Sequence, residues 1–257
     1  MYPLISIIIP SYNKVKYIEK TLRSIVTQKN VRVEVIIQDG GSTDGTLDII
    51  KKYAKKYPKL IKFVSKKDDG QLDAINKGLK KAKGEIVTFI NADDVYEKDA
   101  LFTVAEYYKE NPNALWFAGK GIVIDENDIE IAKIATVYKS FLLKFNLYNL
   151  LLMTNYLMQP SVFLTKKALR KYGLFTGTKF AVMEYDMWLK IGKDQMPVVI
   201  DMYLSKFRIS EGSISSVMYN ELFSMDIKIV RKHSKNVIFV YTHKINNYFR
   251  ILYLKTL

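Results

Sequence analysis

Residues 85–94 read Glu85-Ile86-Val87-Thr88-Phe89-Ile90-Asn91-Ala92-Asp93-Asp94, a short apolar run that breaks into an amide and two carboxylates. The unbroken apolar, β-branched and aromatic character before Asn91 predicts a strand buried on both faces, as parallel sheets use. In open α/β sheets the crevice beyond the carboxyl ends of the strands is where ligands bind, so the polar cluster falls where a site is expected. Two other runs end the same way. Ile5 to Ile9 stops at Pro10-Ser11-Tyr12-Asn13, and Val33 to Ile37 stops at Gln38-Asp39-Gly40-Gly41.

Helical spacing fills the gaps between these strands. Tyr17 to Thr27 sets Ile18, Leu22, Ile25 and Val26 on one face. Thr46 to Tyr57 turns Leu47, Ile50 and Ala54 inward and its lysines outward, and Gln71 to Lys83 groups Leu72, Ile75 and Leu79 before Gly84. With a short strand at Ile61 to Ser65, strand and helix alternate throughout the first part of the chain, which predicts an α/β fold around a mostly parallel sheet. The second half is less regular. It reads as a helix near Lys98 to Glu110, short strands near Leu115 to Ala118 and Gly121 to Ile124, a strand at Ser161 to Thr165, a helix at Tyr185 to Ile191 and an extended Met202 to Ile209. From Ser216 onward, helix-forming and aromatic basic stretches alternate. The expected division is one domain over 1–215 and a helical extension over 216–257.

Composition narrows the chemistry. The chain has no cysteine, which excludes disulfides, a cysteine nucleophile and thiolate metal sites. Its only histidines are His233 and His243, so zinc chemistry and Ser-His-Asp hydrolysis lose most of their support, and a bound metal is expected to take oxygen ligands. A net charge of +14 favours an anionic partner, either a phosphorylated substrate or an anionic membrane surface. Nucleic acid is set aside, because no nucleic-acid-binding signature accompanies the charge. The N-terminus lacks the basic start and the apolar length of a signal peptide, so a cytoplasmic location is expected, with a peripheral seat at the inner face of the membrane as its variant. Phe145 to Leu164 carries no formal charge, yet Asn146, Asn149, Asn155, Gln159 and Pro160 point to a buried helix followed by a strand rather than a membrane span.

Carboxylates crowded at the tip of a buried strand repel one another unless a cation or hydrogen bonds compensate. Asp93 and Asp94 therefore suit a divalent ion bridging two phosphates, with a turn or helix cap as the competing reading. The stretch Gln38 to Thr46 joins the strand-end Asp39 to glycines that allow close backbone approach and to Ser, Thr and Asp residues that cap the next helix. The functional reading has Asp39 accept a hydrogen bond from a nucleobase imide, with a plain glycine-rich β-α turn as the competing reading. The stretch lacks the Gly-Lys-Ser/Thr of a P-loop and the spacing of a dinucleotide fingerprint.

Four segments in order carry a specific resemblance: Ser6 to Asn13, Gln38 to Thr46, Asp69 to Gly78, and Gly84 to Asp94. Together they resemble the family 2 glycosyltransferases with the GT-A fold, over roughly residues 4 to 215. The resemblance implies a Rossmann-like, mostly parallel central sheet flanked by helices; the residues beyond it read as a helical, aromatic and basic C-terminal extension. It implies an inverting enzyme that moves a sugar from a nucleotide diphosphate sugar, UDP foremost, to a hydroxyl of a glycan or lipid-linked acceptor with Mn2+ or Mg2+ bound. Carried over by position, Pro10, Tyr12 and Asn13 would line the base and ribose, Asp39 would contact the base, and Asp69 and Lys77 would lie near the diphosphate or sugar. Asn91, Ala92 and Asp93 occupy the family's Asp-x-Asp stretch, with Asp93 as the metal ligand and Asn91 acting by hydrogen bond. Asp94 would assist or touch the donor sugar.

Gln159 to Phe163 and Met183 to Lys190 resemble the family's acceptor-side segments. Glu184 stands where the family places an aspartate general base, and Asp186 is the second candidate. A sugar hydroxyl with a pKa far above 7 needs such a carboxylate within reach as it attacks; helix-start carboxylates favoured by the dipole are the competing reading. Relatives often carry histidine where Ser210 stands, so Arg208 or a lysine is expected at the diphosphate. The C-terminal cations interspersed with aromatics suit an interfacial segment and, equally, a helix packed on the chain's own core or on a second subunit of a homodimer. Two functions of other classes stay open: a sugar-phosphate nucleotidyltransferase, although Pro10 to Lys14 replaces its glycine-rich, arginine-bearing loop, and a non-enzymatic binder of an anionic polymer.

Overall fold

The computed structural model describes residues 2–177, 182–210 and 219–254. The first half alternates β1 (Leu4–Ser11), α1 (Ile18–Val26), β2 (Arg32–Asp39), α2 (Thr46–Lys56), β3 (Ile61–Ser65), α3 (Gln71–Leu79) and β4 (Ile86–Phe89). There follow β5 (Val95–Tyr96), α4 (Ala100–Glu110), β6 (Trp116–Ile124), β7 (Glu130–Ile131), α5 (Lys133–Phe145), α6 (Tyr148–Met153), a 3-10 turn (Gln159–Ser161), β8 (Val162–Thr165) and α7 (Lys166–Tyr172). Beyond them lie α8 (Met183–Gly192), β9 (Val198–Arg208), α9 (Tyr219–His233) and α10 (Val237–Leu254).

The strands join in one sheet in the order β3-β2-β1-β4-β8-β6-β9-β5, with β7 paired to β6. From β3 to β4 every pairing is parallel, and β6 and β9 also run parallel; β8 is antiparallel to both its neighbours. Helices cover both faces and divide the core in two. Ile5, Ile7 and Ile9 of β1 pack with α1 and α4, whereas Ile8 points to the other side, toward Ile75 and Leu79 of α3. That alternation is the period of two that a strand imposes, and both faces are apolar because both are covered. Gly78 permits the close approach of α3, since a Cβ there would lie 2.5 Å from Cγ2 of Ile8. A Cβ at Gly84 would lie 2.5 Å from the carbonyl of Leu4.

The α/β fold expected from sequence is the fold observed, with local differences. The two strands expected around Gly119 and Gly121 are one strand, β6, whose register against β9 shifts on either side of Lys120. A bulge absorbs the glycines that read as a break. The helix expected to reach Lys83 ends at Leu79, and the segment from Phe145 to Leu164 holds the short α6, an irregular stretch and the 3-10 turn before β8. Helix α5 has no counterpart in the sequence reading.

The C-terminal helices lie against the rest of the chain. Lys232 and His233 of α9 bind Asp186 of α8, while Nδ1 of His243 and Nδ2 of Asn246 in α10 lie 3.0 and 3.3 Å from the carbonyls of Leu152 and Met153. The division at residues 215 and 216 lies outside the described residues. Among the described residues, no helix is long and apolar enough to cross a membrane.

Candidate active site

The loops that follow β1 and β2 are stapled together. Asn13 takes a left-handed conformation (φ 50°), its Oδ1 accepts from the backbone of Thr43 at 3.0 Å, and its own backbone N–H reaches Oγ of Ser42 at 2.9 Å. The N–H groups of Lys14 and Val15 donate to the side chains of Thr46 and Asp44. Asp44 also accepts from the backbone and hydroxyl of Thr46, a local turn just before α2, whose N-cap is the left-handed Gly45 with no side-chain cap. Asp39, almost fully buried, spends its carboxylate within this structure, accepting from the backbones of Gly41 and Ser42 and the hydroxyls of Ser42 and Ser65.

Beyond β4 the cluster sorts itself by depth. Asp94 is fully buried, accepting from the backbone of Arg208 at 2.8 Å and from Nδ2 of Asn91 at 3.1 Å. Burial, with the charge of Asp93 adding to it, pushes its pKa well above the usual carboxylate range. Asn91 in turn accepts from Nε2 of Gln71 at 2.6 Å. Asp93 turns the other way, and Oδ2 receives the ammonium of Lys14. Arg208, nearly buried at the edge of the cleft, is fully engaged by protein partners. Its guanidinium stacks over the ring of Tyr17, and its three nitrogens donate to the carbonyls of Asp93 and Asp125 and to the carboxylate of Asp128.

These elements border a cleft of about 1360 Å³, ample for a nucleotide sugar and part of an acceptor. Pro10, Tyr12, Asn13, Asp69, Asn91, Ala92, Asp93, Glu184 and Arg208 all line it. Lys77 lies outside, paired with Asp73 one turn earlier on α3; Asp39, Asp94 and Asp186 also lie off the lining. Ser210 sits on the wall, buried.

The far half of the cleft contains residues that the sequence reading did not single out for a site. Lys139 of α5, Asp226 of α9 and Arg250 of α10 converge near Glu184 at the start of α8. Loss of hydration pushes the Glu184 carboxyl up to about 7, with Asp226 adding and Lys139 opposing. Burial likewise brings the Lys139 ammonium down to about 7. Asp226 is 3% exposed, and its Oδ1 accepts no hydrogen bond among the described residues. Nearby, Asp186 faces Lys232 at 2.8 Å and His233 at 2.7 Å; burial raises its pKa, but these two partners overcome that and bring it down to about 2. A signal for Lys139 was present in sequence, as the lysine inside the apolar helical spacing of Ile134, Val137, Tyr138 and Phe141.

An α/β sheet whose strand ends carry a carboxylate and stapled loops around a nucleotide-sized cleft defines a nucleotide-binding class of fold. Comparison with known proteins then specifies it. Residues 6–173 match the family model for glycosyl transferase family 2, and the chain belongs to that family. Among curated proteins it is similar to the "Putative teichuronic acid biosynthesis glycosyltransferase TuaG" of Bacillus subtilis, at 37% identity over 124 residues, which are 48% of this chain and 49% of that protein. The chain spans half the length or less of the first three curated relatives it matches (49%, 41% and 33%). Among solved structures it is similar in fold to the mannosyltransferase PcManGT from Pyrobaculum calidifontis in complex with GDP-Man and Mn2+ (TM-score 0.72, 19% identity, 96% of this chain and 70% of that one). It is also similar in fold to S. aureus TarS 1-349 in complex with UDP-GlcNAc (TM-score 0.68, 20% identity, 89% of this chain and 66% of that one). The GT-A fold expected from the resemblance is thus the fold observed.

Proposed function

We propose that this protein is an inverting glycosyltransferase that moves a sugar from a nucleotide diphosphate sugar, UDP-linked in the first instance, to a hydroxyl of a glycan or lipid-linked acceptor. The observation that carries the reading is one cleft holding two differently poised carboxyl groups. Asp93 at the strand ends is paired with a cation, and Glu184 at the start of α8 is raised to about 7. Pro10, Tyr12 and Asn13 bound the nucleotide half, with the exposed Tyr12 ring available to a base.

The donor set suits a divalent ion in an open way. Among the described residues no group of three or more Asp, Glu, His or Cys could enclose a metal, Asp94 faces inward, and the oxygen of Asn91 is taken by Gln71. Within the Asn91 to Asp94 cluster Asp93 alone lines the cleft with a carboxylate, and one carboxylate beside substrate phosphates and water is a common arrangement for Mg2+ and for ions that share its ligands. Bound there, the ion would neutralise charge on the leaving nucleoside diphosphate. Lys14, released from Asp93, brings a second positive charge to the same place. Glu184, ionised, takes the proton of the acceptor hydroxyl as it attacks the anomeric carbon, and a single displacement inverts that centre. Arg208 acts by holding the carbonyl of Asp93.

The test is thermal stabilisation by UDP, GDP, dTDP and CMP sugars with and without Mn2+, since ligands of the native state raise apparent stability. A metal-dependent shift for one nucleotide class identifies the donor. No shift from any of them in a folded sample overturns the reading, and release of pyrophosphate in place of nucleoside diphosphate would indicate nucleotidyl transfer.

A further inference from the structure

Helices α5 and α10 each present an apolar stripe to solvent on the side away from the core. On α5, Ile134, Val137, Tyr138, Phe141 and Phe145 recur at helical spacing, each 43% exposed or more. On α10, Tyr241, Ile245, Tyr248, Phe249 and Leu252 do the same, with the same lower bound. The two helices are neighbours: the hydroxyl of Tyr138 donates to Oδ1 of Asn246 at 3.0 Å, and Tyr253 packs in a cluster with Ala132 and Ala135. Scattered exposed hydrophobics are ordinary on a protein surface, but two adjacent aromatic stripes are not.

Charge decides what covers them. Residues 133–147 and 237–254 contain neither aspartate nor glutamate, and of their cations Lys133, Lys144 and Lys244 are exposed while Lys139 and Arg250 turn to the cleft. Exposed Arg231 and Lys235 stand at the corner leading into α10. A second copy apposed to this face would bring like charges together with no carboxylate on either helix to meet them. A bilayer surface with anionic headgroups satisfies both features, because aromatic and aliphatic side chains enter the headgroup boundary while lysines and arginines meet phosphate. We infer that the α5–α10 face is a seat for an anionic membrane surface, with both helices lying in the interfacial plane.

The inner faces of the same helices supply Lys139, Arg250 and Tyr253 to the cleft. An acceptor carried on a lipid would therefore approach the Glu184 side from the seat. That consequence rests on the proposed transfer reaction; the seat itself does not.

The experiment is co-sedimentation of the full chain with vesicles of phosphatidylcholine alone and of phosphatidylcholine with about 30% phosphatidylglycerol, at low and high salt. The expected result is binding to the anionic vesicles that weakens with salt. It should fall about tenfold in a Phe141→Ser/Phe249→Ser variant whose circular dichroism and melting temperature match the parent. An independent Ile245→Ser/Tyr248→Ser variant should behave alike, so the test does not hang on one pair folding. Three outcomes overturn the inference: no binding to anionic vesicles, undiminished binding by both folded variants, or a concentration-dependent dimer without vesicle binding that the substitutions dissolve. Vesicle binding in a protein that fails every nucleotide-sugar assay would leave the seat standing and remove only the transferase reading.

Discussion

Lys14 donates from its ammonium to Oδ2 of Asp93, tying the loop after β1 to the loop after β4 across the cleft. The two side chains are 29% and 10% exposed, so the contact is partly shielded from water. A divalent ion approaching that oxygen must displace the ammonium. Lys14→Met should therefore bind Mn2+ more tightly in the absence of nucleotide, by roughly tenfold or about 1.4 kcal/mol, as read from the paramagnetic resonance signal of free Mn2+. An unchanged Mn2+ affinity would show that lysine and ion do not share the position.

Asp93→Asn keeps the size of the side chain and removes its charge. Transfer should drop by about a thousandfold, the scale of losing one preorganised electrostatic contact to the reacting groups. The Mn2+-dependent part of the nucleotide-induced thermal shift should disappear with it. Retention of both would place the metal elsewhere.

Glu184→Gln removes the proposed base without changing its shape. A loss in kcat of about a hundredfold or more is expected. In the parent protein the carboxyl, raised to about 7, must lose its proton before it can accept one, so the rate should climb with pH and level off above about 7. A flat profile across that range, or an active glutamine variant, would assign the base elsewhere.

Asp186 supports the C-terminal helices. Its folded pKa of about 2 lies below the ordinary 3.8, so the stabilisation it provides is complete above about 4 and lost as pH falls through about 2. Asp186→Asn should cost about 2 kcal/mol in urea unfolding near neutral pH, and the difference should vanish at the acid end. An equal deficit at both ends would mean that packing, not charge, is what the substitution disturbs.

Arg208 reaches three acceptors with three nitrogens, a geometry that an ammonium cannot reproduce. Arg208→Lys should lower stability by about 3 kcal/mol, because partners of a buried charge are left unmet. Its effect on transfer should follow the Asp93 backbone it holds, appearing in kcat ahead of KM. A stable variant with raised KM alone would point to direct contact with substrate.

Much of the first part of the chain was readable because its signals are local. Short β-branched runs such as Ile5 to Ile9, bounded by turn residues, read as strands buried on both faces, and helical spacing closes each crossover, so strand ends and the polar loops after them follow from the order of residues. Helix α5 was missed although its apolar side chains recur at helical spacing, because neither a capping residue nor a glycine stop marks its ends, which lie at the left-handed Ala132 and Asn146. The β6 bulge was read as a break because glycine spacing does not distinguish the two.

Residue type and order settled the α/β class, the polar cluster at Asn91 to Asp94 and the family pattern, since each depends on neighbours close along the chain. Packing alone separated Asp93 from Asp94, adjacent in sequence but turned to opposite sides, one toward Lys14 and the cleft and the other toward the Arg208 backbone. It also gathered Lys139, Glu184, Asp226 and Arg250 from four helices to one wall. Charge and hydration at a site depend on what surrounds each group in space, and residues so distant along the chain become neighbours only when the helices that carry them bury their apolar faces.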